Sequence, residues 1–168
     1  MTIRPLRLGE ALRYRDHRLR ALQDSPDAFS STFEAEQAQS EQWWLDRVRA
    51  GSADPKREIF IALDRDRFVG SIVVALESKS AHIYAMWIDP GCRRRGFGQS
   101  LLAAALSWAR DRNAELADLW VTDGNRPAIE LYRHGGFAIT GEEDLLRPGS
   151  KLRINRMIQW MGRTSDLR

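Results

Sequence analysis

The sequence has very little cysteine, because Cys92 is the single one among its 168 residues. One cysteine excludes an internal disulfide framework and a zinc site built from several cysteines. The chain also lacks an apolar run of the ~20 residues needed to span a bilayer. Its first residues lack the long apolar stretch of a signal peptide. These absences predict a cytoplasmic protein that does not associate with membranes.

The sequence also lacks a large excess of one charge sign, because 26 lysines and arginines stand against 23 aspartates and glutamates, for a net charge of +3. The basic residues are dispersed, apart from one run at Arg93–Arg95. A nucleic-acid-binding protein usually gathers its basic residues on one helix or stripe, so no nucleic-acid partner is expected. With 43% hydrophobic and 29% charged residues, the composition is that of a globular protein, and the length predicts a single domain over residues 1–168.

The order of strand and helix patterns predicts an α+β (mixed α/β) protein whose sheet is mixed and mostly antiparallel. Strands are predicted over Thr2–Leu6, Glu58–Leu63, Phe68–Leu76, Ala81–Ile88, Leu116–Thr122, Phe137–Thr140 and Leu152–Trp160. Helices are predicted over residues 9–23, 40–49, 99–112 and 127–134. In the first helix, the expected apolar stripe consists of Leu8, Leu12, Leu19 and Leu22. Residues 30–39 are predicted to be a polar connection.

A turn rich in glycine and arginine precedes the helix predicted at residues 99–112. The start of a helix offers free backbone N–H groups and a partial positive charge, which together bind phosphates. Gly96 and Gly98 leave the backbone open to such an anion, and the Arg93–Arg95 run adds charge. A solvated arginine run in an ordinary turn is the alternative. No P-loop sequence is present, and the third glycine of the dinucleotide fingerprint is replaced by Leu101.

A second informative stretch surrounds the short helix predicted at residues 127–134. Asn125 suits a helix N-cap or a ligand-binding loop. Ala128, Leu131 and Tyr132 share one helix face by their i, i+3, i+4 spacing. Tyr132 is therefore expected to point inward or to line a cleft, and core packing with one satisfied hydroxyl is the alternative.

Together, the two stretches resemble the GNAT superfamily of acyl-CoA-dependent N-acetyltransferases. The signature Arg/Gln-x-x-Gly-x-Gly/Ala matches Arg93-Arg94-Arg95-Gly96-Phe97-Gly98, and a later family pattern matches Asn125, Ala128, Leu131-Tyr132 and Gly136-Phe137. The resemblance implies a sheet of about seven strands that is splayed between the fourth and fifth strands and flanked by about four helices. It also implies that acetyl-CoA binds in this opening as a cosubstrate and that no metal takes part.

The resemblance places the pantetheine arm along the fourth strand and the pyrophosphate on the backbone N–H groups of residues 94–99. The residues it implies for binding are Met86, Trp87, Ile88, Arg93, Arg94, Arg95, Gly96, Phe97, Gly98, Gln99, Ser100, Asn125 and Tyr132. Trp43, Trp44, Trp87 and Trp120 are expected either to be core residues or to form an aromatic wall around the acceptor.

The reaction implied is direct attack of a primary amine on the thioester in a ternary complex. Tyr132 matches the family tyrosine that protonates the departing thiolate. Relatives that acetylate ribosomal-protein N-termini carry a glutamate five residues before the motif asparagine, and here that position is Trp120. The candidate bases are Glu34, Glu36, His82 and Asp123, and Glu34 is preferred because it lies in the region that covers the acceptor pocket in this fold.

The resemblance leaves the acceptor open among amino acids, polyamines, antibiotic amines, peptide N-termini and lysines. Dimers are common among relatives, and the last strand offers an edge for a homodimer. A catalytically silent acyl-CoA-binding regulatory module on the same fold is the alternative function.

Overall fold

One sheet of seven strands and five α-helices make up residues 1–162, the part of the chain that the computed structural model describes. The strands are β1 Thr2–Pro5, β2 Arg57–Asp64, β3 Arg67–Glu77, β4 Ser80–Ile88, β5 Leu116–Thr122, β6 Ala138–Leu145 and β7 Arg153–Trp160. The helices are α1 Ala11–Asp24, α2 Phe33–Gln37, α3 Glu41–Ser52, α4 Phe97–Asp111 and α5 Arg126–His134. No helix in this part of the chain is long and apolar enough to cross a membrane. Residues 163–168 of the predicted domain lie outside the described residues.

The strand order is β1-β2-β3-β4-β5-β7-β6, and β4 and β5 are the parallel neighbours. Their pairing covers only Ser80–His82 against Leu116–Asp118. β4 continues to Ile88 without further pairs to β5, so its edge toward β5 is left open. An extended ligand can satisfy backbone groups along such an edge. The predicted splay between the fourth and fifth strands is confirmed.

Helix α4 packs on one face of the sheet and forms the main hydrophobic core. Its apolar stripe is buried as expected, and it consists of Leu101, Leu102, Ala105, Leu106 and Ala109. A second core on the other face joins Tyr14 of α1 and Trp44 and Val48 of α3 to the strands β2 and β3. The sheet is therefore covered on both sides, and the open edge of β4 lies between two rigid layers.

The apolar stripe expected in α1 is wrong in part, because Leu8 and Leu12 are 54% and 42% exposed. The buried face instead carries Tyr14, His17 and Arg18 together with smaller residues. Each residue turns a helix by about 100°, so a stripe that runs through Ala11 and Tyr14 leaves Leu12 toward solvent.

Two other segments differ from the sequence expectations. Residues 30–39 include the short helix α2, whose first turn is capped by the Thr32 hydroxyl. β6 extends to Leu145 rather than ending at Thr140. All eight of its residues are exposed and its pairing with β7 is interrupted by a bulge, so no alternation of apolar and polar residues marks the strand.

Candidate active site

A first cleft of about 500 Å³ lies between the end of β4, the start of α4 and the helix α5. The start of α4 forms one end of this cleft. Gly96 takes a left-handed backbone conformation, with φ of +83°, and caps α4 without a side-chain hydrogen bond. Among residues 1–162, no backbone N–H of residues 94–99 donates to a protein acceptor. These amides are therefore free to bind an anion.

Gly98 lines this cleft, and a side chain at this position would contact Leu131 and Met86, which also line it. A Cβ atom at Gly98 would lie 3.3 Å from Leu131 Cδ2 and 3.4 Å from Met86 Cε. Close packing, rather than an unusual φ angle, therefore disfavours a larger side chain at this position. The absence of a side chain keeps the backbone of the first turn of α4 within reach of a ligand.

Arg93 and Arg94 line the first cleft, as expected. The Nε of Arg93 donates to the carbonyl of Ile88 at 3.0 Å, and its guanidinium pairs with Asp24. Asp24 also accepts a hydrogen bond from the indole of Trp87 at 2.9 Å. These contacts fix the end of β4 to α1 and hold the positive charge of Arg93 beside the cleft.

The side chains of Arg95, Phe97 and Ser100 do not line the first cleft, so a binding role for these side chains is not retained. Arg95 pairs with Asp64 at 3.1 Å and lies over the ring of Phe97. The Phe97 ring is buried in the main core, because the helix turns it toward the sheet. Only the backbone N–H groups of Arg95 and Phe97 remain available to a ligand here.

Tyr132 lies where the first cleft meets a second cleft of about 560 Å³. Both clefts are lined by Ala28, Met86, Asn125, Ala128 and Tyr132. The Tyr132 hydroxyl is 3.6 Å from the sulfur of Met86, which is a weak acceptor. Burial raises the pKa of Tyr132 to about 12, so the hydroxyl stays protonated. Within residues 1–162, the protonated hydroxyl at the junction of the two clefts therefore has only this weak acceptor as a partner.

Two further features build the walls at this junction. The side chain of Asn125 caps α5 by accepting from the N–H of Ala128 at 3.4 Å. The turn at residues 26–29 is held by Thr122, whose hydroxyl donates to the carbonyl of Asp27 at 2.6 Å. Arg147 holds the same turn through the carbonyl of Phe29 at 2.7 Å. The turn therefore closes one side of both clefts.

His82 and Asp118 line the second cleft and are the last paired residues of β4 and β5 before the strands separate. His82 Nδ1 lies 2.6 Å from Asp118 Oδ1. Asp118 is buried and also accepts from Arg156 Nη2 at 2.7 Å. A carboxylate held by an arginine is an acceptor, so Nδ1 of His82 donates to Asp118. On the other side of the ring, Nε2 lies 3.5 Å from Oε2 of the exposed Glu77.

The other candidate bases lie in less suitable places. Glu34 is exposed on α2 and lines neither cleft, and the exposed Asp123 lines neither cleft. Glu36 lines the second cleft, but Arg18 donates to it at 2.9 Å. Although burial opposes the effect, Arg18 and Arg47 hold the pKa of Glu36 below its usual value, which weakens it as a base. The role expected for Glu34 is therefore not retained.

The sequence analysis did not identify Asp118 or Arg18 as site residues. Asp118 meets His82 through the register of two parallel strands, and their separation of 36 residues has no local pattern. Arg18 lies on the buried face of α1, which the leucine spacing placed elsewhere. The described residues include no group of three or more histidine, cysteine, aspartate or glutamate side chains that could hold a metal ion.

The fold and the clefts match the GNAT class of proteins, and the chain belongs to the GNAT acetyltransferase family. A family model described as "Acetyltransferase (GNAT) family" matches residues 18–137. An acetyltransferase of the GNAT family from Streptococcus pneumoniae has a TM-score of 0.83 at 17% identity, covering 96% of this chain and 99% of that chain. A Bacillus anthracis protein solved in complex with acetyl coenzyme A is 26% identical with a TM-score of 0.61, over 68% of each chain.

Curated relatives match only in part. A mycothiol acetyltransferase from Clavibacter sepedonicus is 36% identical over 93 residues, which are 55% of this chain and 30% of that protein. A streptothricin acetyltransferase from Streptomyces lavendulae is 32% identical over 107 residues, which are 62% of this chain and 56% of that protein. The matched part of this chain thus spans less than a third of the mycothiol enzyme.

Proposed function

We propose that the protein transfers the acetyl group of acetyl-CoA to a primary amine by direct attack in a ternary complex. The observation that carries this proposal is the meeting of two clefts at Tyr132 and Met86. The first cleft offers the free amides at the start of α4 and suits a diphosphate. The second cleft offers a base and an aromatic wall, which suit an amine.

The open edge of β4 suits the extended pantetheine arm of acetyl-CoA. Residues Ile83–Ile88 make no pairs with β5, so the amides of the arm can bond to their backbone groups as an added strand would. A free backbone N–H on this edge would also stabilise the oxyanion that forms when the amine attacks. Losing one such donor typically costs about 3–4 kcal/mol. We propose that Met86, Trp87 and Ile88 supply the backbone groups that bind the pantetheine arm.

We infer that His82 is the general base. Its Nε2 accepts a proton from the ammonium group of the substrate, directly or through a water, and the amine that results attacks the thioester, while Asp118 holds the ring through Nδ1. Deprotonating a lysine-like amine at neutral pH costs roughly 4–5 kcal/mol. A base held beside the amine therefore offsets part of this cost. As the new C–N bond forms and the C–S bond breaks, Tyr132 donates its proton to the departing thiolate. The second proton lost by the amine nitrogen returns to the Tyr132 phenolate, so that the products are the amide, the CoA thiol and a protonated His82.

The acceptor is proposed from the cleft rather than from the relatives, although their names mention mycothiol and streptothricin. Trp120 and Tyr84 line the second cleft and are 43% and 41% exposed. Aromatic faces attract a cationic amine, so these two rings suit the approach of an ammonium group. Trp44 and Trp87 are buried and take no part in this wall.

A thiol-release assay with acetyl-CoA and a panel of amines tests the proposal. The buried Cys92 keeps the background reaction of the protein with a thiol reagent low. We expect turnover with at least one amine and thermal stabilisation by acetyl-CoA alone. Stabilisation without turnover on any amine would favour the silent acyl-CoA-binding module instead.

A further inference from the structure

The charged groups of the second cleft are unevenly paired. Two arginines, Arg18 and Arg47, line the cleft with the single carboxylate of Glu36 between them. The other lining carboxylate, Asp118, already pairs with Arg156. Asp118 is thus paired outside the lining, because Arg156 is not among the residues that line the cleft. Within the described lining, the two arginines therefore share the one carboxylate of Glu36, and each carboxylate is already paired.

Arg18 has an unused donor at this cleft. Its Nε and Nη2 both donate to Glu36, at 3.1 and 2.9 Å. Its Nη1 is buried and has no hydrogen-bond partner among the described residues. The guanidinium also stacks on the ring of Phe29, 4.4 Å from the centroid, so it is fixed in place. A buried donor without an acceptor is costly, and an anionic ligand would remove that cost.

Arg47 is held more loosely than Arg18. Its Nη2 lies 3.8 Å from Glu36 Oε1, beyond hydrogen-bond distance, and its side chain is 29% exposed. The guanidinium lies over the ring of Trp43 at 4.9 Å, which orients it without using its donors. The fork of Arg47 is therefore available to a planar carboxylate.

We propose that the amine acceptor carries a carboxylate, which binds Arg18 and Arg47 while the amine faces His82. This inference rests on the proposed function and names the class of its substrate. An α-amino acid, or a short peptide with its own carboxylate, fits a cleft in which Arg18 Nη1 has no partner among the described residues and Arg47 is only loosely held. A polyamine fits poorly, because a second ammonium group would find no free carboxylate in the described lining.

The test compares amino acids with the amines that lack only their carboxylate. The pairs are L-phenylalanine with phenethylamine, L-methionine with 3-(methylthio)propylamine, and L-ornithine with putrescine. A carboxylate also changes the basicity of its amine, so the deciding quantity is how the ratio of kcat/KM within a pair changes on Arg47→Met. The control is Arg49→Met on the same helix, because Arg49 does not line the cleft.

We expect the amino acid to be preferred in the fastest pair. Arg47→Met should lower that preference about 10- to 100-fold, the effect of one charge-assisted hydrogen bond, and Arg49→Met should leave it unchanged. An unchanged ratio in Arg47→Met, or wild-type preference for the amine in every pair, would overturn the inference.

If no compound of any pair is acetylated, the wider amine panel decides the proposed function, and binding decides the inference separately. The thermal stability of the CoA-loaded protein is then measured with each member of a pair. Stabilisation by the amino acids that Arg47→Met abolishes would support a carboxylate site. Equal stabilisation within every pair, or none, would overturn it.

Discussion

The Tyr132 hydroxyl has two properties that suit a proton donor. It lies at the junction of both clefts, and its only hydrogen-bond partner among the described residues is the weak acceptor Met86 Sδ. Because burial raises the pKa of Tyr132 to about 12, the phenol stays protonated throughout the neutral and mildly basic range. A fall in kcat with rising pH below about pH 10 would therefore not come from this residue.

Tyr132→Phe tests the proton-donor role. The variant should lower kcat at the lower end of the ~10²–10⁴-fold range of general acid–base catalysis, because the CoA thiol is itself acidic, with a pKa near ~8.5. Acetyl-CoA binding should change little, since the ring remains. The measurement is steady-state turnover beside a binding titration. Wild-type kcat over the whole pH range would remove Tyr132 from the mechanism.

His82 can be tested against Glu34 directly. We expect His82→Ala to lower kcat/KM about 100-fold without loss of acetyl-CoA binding, and added imidazole to restore part of the rate. Imidazole rescue is specific to a proton-transfer role and would not follow from a structural one. Glu34→Gln should retain full activity, because Glu34 lines neither cleft. Full activity in His82→Ala together with a loss of activity in Glu34→Gln would instead identify Glu34 as the base.

His17 links stability to pH. Burial lowers the pKa of His17 to about 3, and its Nε2 contacts the Ser71 hydroxyl at 3.1 Å. The folded state keeps the ring neutral, whereas the unfolded state binds a proton below its usual pKa of about 6.5. The unfolded state thus holds more protons between about pH 6.5 and pH 3, so stability falls as the pH is lowered through this range.

The wild type should therefore lose about 2–3 kcal/mol of unfolding free energy between pH 6.5 and pH 4.5 through His17 alone. His17→Gln should lack this part of the slope. Urea unfolding of both proteins at the two pH values measures the change in unfolding free energy. Carboxylates titrate alike in both proteins, so their contribution cancels when the variant is compared with the wild type. Identical slopes would show that His17 is not the titrating group.

At the scale of elements, the start of α4 is the best-marked feature. Gly96 and Gly98 in the signature predicted an anion-binding helix start, and the N–H groups of residues 94–99 have no protein acceptor in the described structure. The arginine run was less informative, since Arg95 turns away to Asp64. A local motif specifies the backbone of the turn, but side-chain directions depend on partners that lie elsewhere in the chain.

Gly98→Asp should weaken acetyl-CoA binding at least about tenfold, or ~1.4 kcal/mol. The new side chain would crowd Leu131 and Met86 and place a negative charge where the diphosphate is proposed to bind. Gly9→Asp is the matched control, because Gly9 has open space around it and lies outside the clefts. Calorimetric titration compares the two, and equal affinity would refute the placement.

Long-range pairing explains most of what sequence reasoning missed. The strands β4 and β5 were predicted, but the register that joins His82 to Asp118 was not, because nothing local encodes it. The buried face of α1 was misassigned because leucine spacing competed with a face built from Tyr14, His17 and Arg18. β6 was cut short because none of its residues is buried.

At the scale of the whole molecule, the open part of the sheet unites the proposals. Pairing between β4 and β5 stops at His82 and Asp118, so the proposed base His82 lies at the closed end of the opening. The free amides of α4 lie at the other side of the first cleft. The expectations of a homodimer, of no nucleic-acid partner and of a cytoplasmic location stay predictions.

Backbone amide chemical shifts during a titration with acetyl-CoA test the central claim most directly. The account predicts saturable changes at the N–H groups of residues 94–99 and along the β4 edge from Ile83 to Ile88, with Gly9 and other distant amides unchanged. Saturable changes that leave both segments unaffected, or no change at millimolar ligand, would contradict the binding of acetyl-CoA between these strands.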